Sequence, residues 1–99
     1  MRYRFDWDPV KEAGNIRKHG VSFRRGATVF RDPNQLSLYD EEHSEIEARW
    51  VTMGINGGGV LRVVVHTFEQ IGQDSIEIRI ISVRKATKRE AEHYREKGI

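Results

Sequence analysis

The hydrophobic spacing of this 99-residue chain passes from a helical to a strand period near Asp32-Pro33-Asn34, and no other feature limits the fold as much. Helices repeat every 3.6 residues and strands every two, so the two patterns cannot be exchanged. Before the break, Phe23, Ala27 and Phe30 recur at i, i+4, i+7, the stripe of a short helix capped by Ser22 and running to about Val29. Asp8-Pro9 opens an earlier helix, with the carboxylate as cap and proline at the first turn, and Gly20 closes it after His19. A short alternating run, Tyr3 to Trp7, precedes both helices and reads as a strand.

After the break the alternation is of period two. Leu36–Tyr39 forms a short strand, Asp40–Ser44 a polar loop, and Glu45–Ile55 a longer strand with Ile46, Ala48 and Trp50 on one face. Asn56-Gly57-Gly58-Gly59 is a hairpin signal, because these residues tolerate the positive φ of tight turns. Leu61–Phe68 and Ile76–Val83 supply two more strands around a loop containing Gly72. Thr87 and Glu90 then match a capping box that opens a helix to about Lys97. The order predicts one α+β domain over residues 1–99. In it a twisted antiparallel sheet of four to five strands carries the two N-terminal helices on one face and the C-terminal helix beside it.

Composition narrows the chemistry. There is no cysteine, which excludes disulfides, thiol catalysis and thiolate metal sites. No HExxH or paired-carboxylate motif accompanies the four histidines, so neither a metal nor a cofactor is expected. The opening residues alternate in charge and the apolar runs are short, so a cytoplasmic chain without signal peptide or membrane span is expected. The formal charge of +2 conceals an asymmetry: +5 over residues 1–31, −6 over 32–48 and +3 over 49–99. Two basic flanks around an acidic middle suit a polyanion-facing surface, and equally a solvated, charge-mixed one.

Strand phase sorts the polar residues. Glu47 and Arg49 share one face of their strand, and Arg62, Val64 and His66 share one face of the next. An even hairpin loop, of two or four residues, brings Arg49 and His66 to the same side. Stacking apolar on apolar adds Arg79, so Glu47, Arg49, His66 and Arg79 are expected as a cluster on the face away from the helices. His43, in the acidic loop, falls outside it. A salt-bridged solvent face reads from the same pattern. Lys85, Lys88 and Arg89 oppose the dipole of the last helix, as a phosphate site would, whereas Lys18 and His19 suit the end of the first helix without further role.

Several strings together resemble the BrnT family of toxins. They are Phe5-Asp6-Trp7-Asp8-Pro9, Asn15 to Phe23, Val29 to Pro33, Glu47-Ala48-Arg49 with Gly54, Val65-His66-Thr67, Arg79 to Lys88, Glu90 and Tyr94. The resemblance implies a RelE-like fold and a metal-independent endoribonuclease of a type II toxin–antitoxin pair that inhibits translation. It also implies a BrnA-like antitoxin, two toxins assembling with two antitoxins, and operator DNA contacted only through the antitoxin. Arg49, Arg79 and Arg84 would clamp the scissile phosphate, His66 would transfer a proton and Tyr94 would be a lesser contact. Lys18, His19, Lys85 and Lys88 would bind RNA, with Glu47 in support. A non-catalytic nucleic-acid- or partner-binding module is the alternative. Three departures from the family pattern stand out: a longer 68–75 segment, Gly26 in place of an acidic residue, and Val83 in place of alanine.

Overall fold

A computed structural model describes residues 2–97; Met1, Gly98 and Ile99 lie outside the described residues. The chain runs β1 (Arg2–Trp7), α1 (Pro9–His19), α2 (Phe23–Ala27), a 3-10 turn (Thr28–Arg31), β2 (Leu36–Tyr39), β3 (Trp50–Ile55), β4 (Leu61–His66), β5 (Glu69–Gln70), β6 (Ser75–Lys85) and α3 (Lys88–Lys97). The caps act as their residue types dictate. Asp8 accepts from Val10 N at 2.9 Å, Gly20 closes α1 at φ 70°, and Thr87 and Glu90 satisfy each other's backbone donors.

The sheet order is β1-β6-β4-β3-β2, with β5 on β6. One expectation fails here: β1 lies parallel to β6, so the sheet is mixed and has six strands. Period-two spacing identifies a strand and says nothing of its direction. The two helices carry the chain to β2 at the far edge, and the successive antiparallel pairings β2–β3, β3–β4 and β4–β6 bring β6 back beside β1 in the same direction. The long 68–75 segment is a second difference, since it folds into a small hairpin with Glu69 opposite Glu77 rather than an open loop.

The two faces are covered differently. Phe23, Val29 and Phe30 from the α2 region pack with Val64, Ile78, Ile80 and Val83 on one face. On the other, Tyr94 of α3 packs with Met53 and Val63, so α3 covers the opposite face rather than lying beside the sheet. Strand residues in the middle of the sheet are therefore buried on both sides, and apolar alternation there gives way to continuous runs such as Val63-Val64-Val65.

Two irregularities set which side chains share a face. The β3–β4 pairing joins Ile55 to Leu61, Asn56 N donates to Val60 O, and Gly59 takes φ 79°. The connection is odd, not even, and an odd loop places Trp50, not Arg49, opposite His66. In β6 a bulge at Ile81 shifts the pairing, with Val65 opposite Ser82 but His66 opposite Ile80. The extra residue puts Arg79 and Arg84, five positions apart, on the same α3-side face.

Candidate active site

Tyr39 and Trp50 pair at the base of a loop over residues 40–49, and polar bonds fix its shape. Asp40 N donates to Arg49 O at 2.9 Å, Arg49 N donates to Ser44 Oγ at 3.0 Å, and Ser44 Oγ donates to Asp40 O. The strand expected from Glu45 therefore begins only at Trp50, and Glu47 and Arg49 sit in the loop. Both still reach the α3-side face. Glu47 pairs with Arg79 of β6, tying the far side of the loop to the sheet.

The loop and the sheet enclose a groove of about 350 Å³ lined by Asp40, His43, Arg49, Ser82 and Arg84 over a floor that includes Val51, Val63 and Val65. Arg84 enters from β6, directly opposite Val63, and is held by Glu90 of α3 through two bonds of 2.8 and 2.9 Å. This bidentate pair holds the Glu90 carboxyl at about 2 and raises Arg84 above its usual range. Arg49 differs: its Nε is buried without a protein partner, and none of the ion pairs among the described residues includes it. Asp40 accepts from the His43 ring at Nδ1, 2.9 Å, and from His43 N at 3.3 Å. That bond sets the tautomer and leaves Nε2 for proton transfer. Guanidiniums that can take an oxyanion, beside a carboxylate-oriented imidazole, are equipment for phosphoryl chemistry.

The family model described as the ribonuclease toxin BrnT of type II toxin–antitoxin systems matches residues 7–90. The chain belongs to the BrnT family. A crystal structure of the BrnT ribonuclease toxin of Brucella abortus is similar, with a TM-score of 0.58 at 21% identity over 89% of this chain and 100% of that one. That likeness carries the α+β fold with its three helices and mixed sheet. No curated protein sequence matches the chain.

In this BrnT family member the sequence-derived residues divide into two groups. Arg49, Arg79, Arg84 and Glu47 gather around the loop on the α3-side face. His66 does not join them. It is 1% exposed on the opposite face, edge-on to Phe30 at 4.9 Å between ring centres. Its Nδ1 donates to Thr67 O at 2.7 Å, so Nε2 accepts from Thr52 Oγ1 at 2.7 Å, and Thr52 in turn contacts Ser37 Oγ at 2.7 Å. Burial pushes its pKa down, against the smaller opposing effect of the Thr67 bond. Tyr94 is also committed: its hydroxyl donates to Asp32, and burial with that bond pushes its pKa up to about 12. Lys18 and His19 end α1 on the face opposite the groove, Lys85 lies beside Arg62 across β4, and Lys88 is exposed on the first turn of α3. His43 is the residue that strand-phase reasoning passed over. Its signal was local, an aspartate three residues ahead in a polar loop.

Beside this groove, and sharing Val51 and Val63 with it, runs a second of about 540 Å³ with Leu36, Leu38 and Met53 below Arg89, His93 and Lys97. Among the described residues, no helix is long and apolar enough to cross a membrane.

Proposed function

We propose that this chain cleaves RNA by attack of a 2′-hydroxyl on the adjacent phosphate, giving a cyclic phosphate end and inhibiting translation, without a metal ion. The observation that carries the reading is the Asp40-oriented His43 in the same groove as Arg49, a buried-Nε arginine without a counter-ion. In this reading His43 takes the 2′-hydroxyl proton and returns it to the departing 5′ oxygen. Arg49 and Arg84 bear the charge that builds on the phosphate, and Arg79 holds Glu47 and so the loop. Side chains supply the positive charge that a metal would otherwise bring. His66 and Tyr94, given roles by the family resemblance, act as structural groups here, and Lys18, His19, Lys85 and Lys88 are secondary RNA contacts.

The same reading includes a RelE-like fold, residence in the cytoplasm, and neutralisation by a BrnA-like antitoxin in a two-to-two complex that represses its own operon, with family membership as the support. The basic rim of Arg89, His93 and Lys97 over an apolar floor suits an acidic, amphipathic partner segment.

The test is expression of the chain with and without the adjacent gene, followed by mapping of RNA 5′ ends. Growth arrest with new 5′-hydroxyl ends only when the chain is expressed alone is expected. Arrest without new ends would return the chain to the class of non-catalytic binding modules.

A further inference from the structure

A second basic corner lies on the other face of the sheet, where α2 meets the β3–β4 hairpin, and the cleavage reading makes no use of it. Thr28 Oγ1 accepts from Gly57 N at 2.7 Å and so fastens the α2 region to the hairpin tip. Arg25 reaches that tip, its Nη1 2.7 Å from where a β-carbon of residue 58 would stand, so a larger residue there would push the end of the arginine aside.

Beneath Arg25 two buried donors lack acceptors. Gly54 pairs with Arg62 and Asn56 with Val60, so the Asn56 and Arg62 side chains project from the same face of the hairpin at neighbouring positions. Arg62 is 8% exposed and its Nε has no protein partner; Asn56 is 4% exposed and its Nδ2 has none. The Asn56 amide cannot be turned to hide this, because Oδ1 already accepts from Gly58 N at 2.9 Å and Val60 N at 3.1 Å. No ion pair among the described residues includes Arg25 or Arg62. Burial lowers the Arg62 pKa, and the Arg25 charge lowers it further. Burying one arginine beside another without an anion is costly, and a single water answers the orphan N–H groups but not the charge.

We propose that this corner is a phosphate-binding site in which Arg25 and Arg62 supply paired guanidiniums and Asn56 Nδ2 a neutral donor. A cleft of about 290 Å³ lined by Ser22, Arg24, Arg25, Thr28 and the Gly57-Gly58 tip gives access to Arg25, with Arg62 and Asn56 buried outside its lining. A phosphate group suits the corner better than a carboxylate, because its oxygens can accept from two guanidinium forks at once. The same group comes from inorganic phosphate or from a phosphodiester of an RNA strand. The site stands whether or not the His43 groove is catalytic.

The experiment is titration of the full chain with sodium phosphate against sodium chloride at matched ionic strength, followed by thermal unfolding and by the Arg Nε–H and Gly57 and Gly58 amide resonances. Phosphate is expected to raise the melting temperature and move those signals while chloride does neither. Arg25→Gln, at an exposed position, should weaken phosphate binding at least about tenfold without loss of folding, since a charged hydrogen bond is worth that much. Arg62→Lys, which keeps the charge and removes the Nε–H, should weaken it as well. Equal effects of chloride and phosphate, or full phosphate binding by Arg25→Gln, would overturn the site. A 2′-O-methyl RNA oligonucleotide then identifies the source. Competition with phosphate and sensitivity to Arg25→Gln assign the site to RNA backbone, and oligonucleotide binding indifferent to that change assigns it to free phosphate. If Arg25→Gln weakens only antitoxin binding, with no phosphate response in the wild type, the corner is a protein contact and the proposal fails.

Discussion

His66 and His43 carry the same ring into opposite environments, and the difference is measurable. His66 is a core residue whose two nitrogens are already bonded, so His66→Ala leaves Thr52 and the Thr67 carbonyl without their partner and opens a cavity. A cost of about 2–4 kcal/mol is expected in urea unfolding. The pH dependence follows from the sign of its shift. The folded pKa lies below the ordinary 6.5, so the unfolded chain binds the proton more readily. The stability that His66 contributes is therefore complete above about 6.5 and is lost as pH falls below it. Unfolding midpoints between neutral and mildly acid pH should decline in the wild type and flatten in His66→Gln; equal slopes would refute the assignment. His43→Ala should instead leave stability within about 0.5 kcal/mol, as for an exposed site, and slow RNA cleavage about 100-fold or more. Arg49→Ala should cost about 100- to 1,000-fold in the same assay, the price of one preorganised donor. A folded His43→Ala protein that cleaves like wild type would remove the proposed proton carrier.

Among the elements, β6 is the one on which the others converge. Beyond Ile80 it has outrun β1, and its open edge is completed by a side chain: Asn15 of α1 donates to Val83 O at 2.9 Å and accepts from Val83 N at 3.1 Å. The amide stands in for a strand residue. Asn15→Ala should cost about 2–3 kcal/mol, because both backbone groups of Val83 lose their partner in a buried place; a change under about 0.5 kcal/mol in chemical unfolding would show that the edge finds other partners. At the same end of β6, Glu90 performs two tasks, capping α3 through Thr87 N and holding Arg84. Its carboxyl is lowered from 4.5 to about 2, so its contribution is complete above about 4.5 and disappears as pH falls towards 2. Glu90→Gln keeps the cap geometry and loses the charge. Its stability in unfolding scans should be lower than wild type near neutrality and fall less steeply as pH drops towards 2, and Arg84 should be freer to move.

At the scale of the molecule, the helix–sheet–helix layering depends on close approach between parts far apart in sequence. A β-carbon on Gly26 would stand 2.5 Å from Val83 Cγ2, so α2 rests on β6 at a point where one partner has no side chain and the other is branched. Gly26 thus leaves the space that the branched Val83 fills. Gly26→Ala should destabilise by about 1–3 kcal/mol through overpacking. Val83→Ala in the same chain should restore part of it, so that the double variant loses less than the two single losses combined. Additive losses in a thermal-unfolding cycle would mean that the interface adjusts elsewhere. On the opposite face, the bond from Tyr94 to Asp32 ties α3 to the segment that follows the 3-10 turn, joining the two helical layers around the sheet edge.

Sequence alone determined the local matter: where helices begin and end, which runs are strands, and the absence of thiol chemistry. Caps, turn residues and spacing act within a few residues, and Asp8, Gly20, Thr87 and the Asn56–Gly59 turn behave in the structure as their chemistry requires. Strand phase grouped Glu47, Arg49 and Arg79, with His66, on one side, and the family pattern added Arg84 and the toxin reading. Only the tertiary structure decided which histidine joins them. One residue more in the β3–β4 connection turns His66 inward, and one bulged residue at Ile81 turns Arg84 to the side of Arg79. The Ile80-Ile81 doublet hinted at the second; nothing local distinguished a four-residue from a five-residue connection. The direction of β1, the side taken by α3 and the contact between Gly26 and Val83 have the same origin. They depend on which distant surfaces meet, and period, propensity and capping carry no term for that.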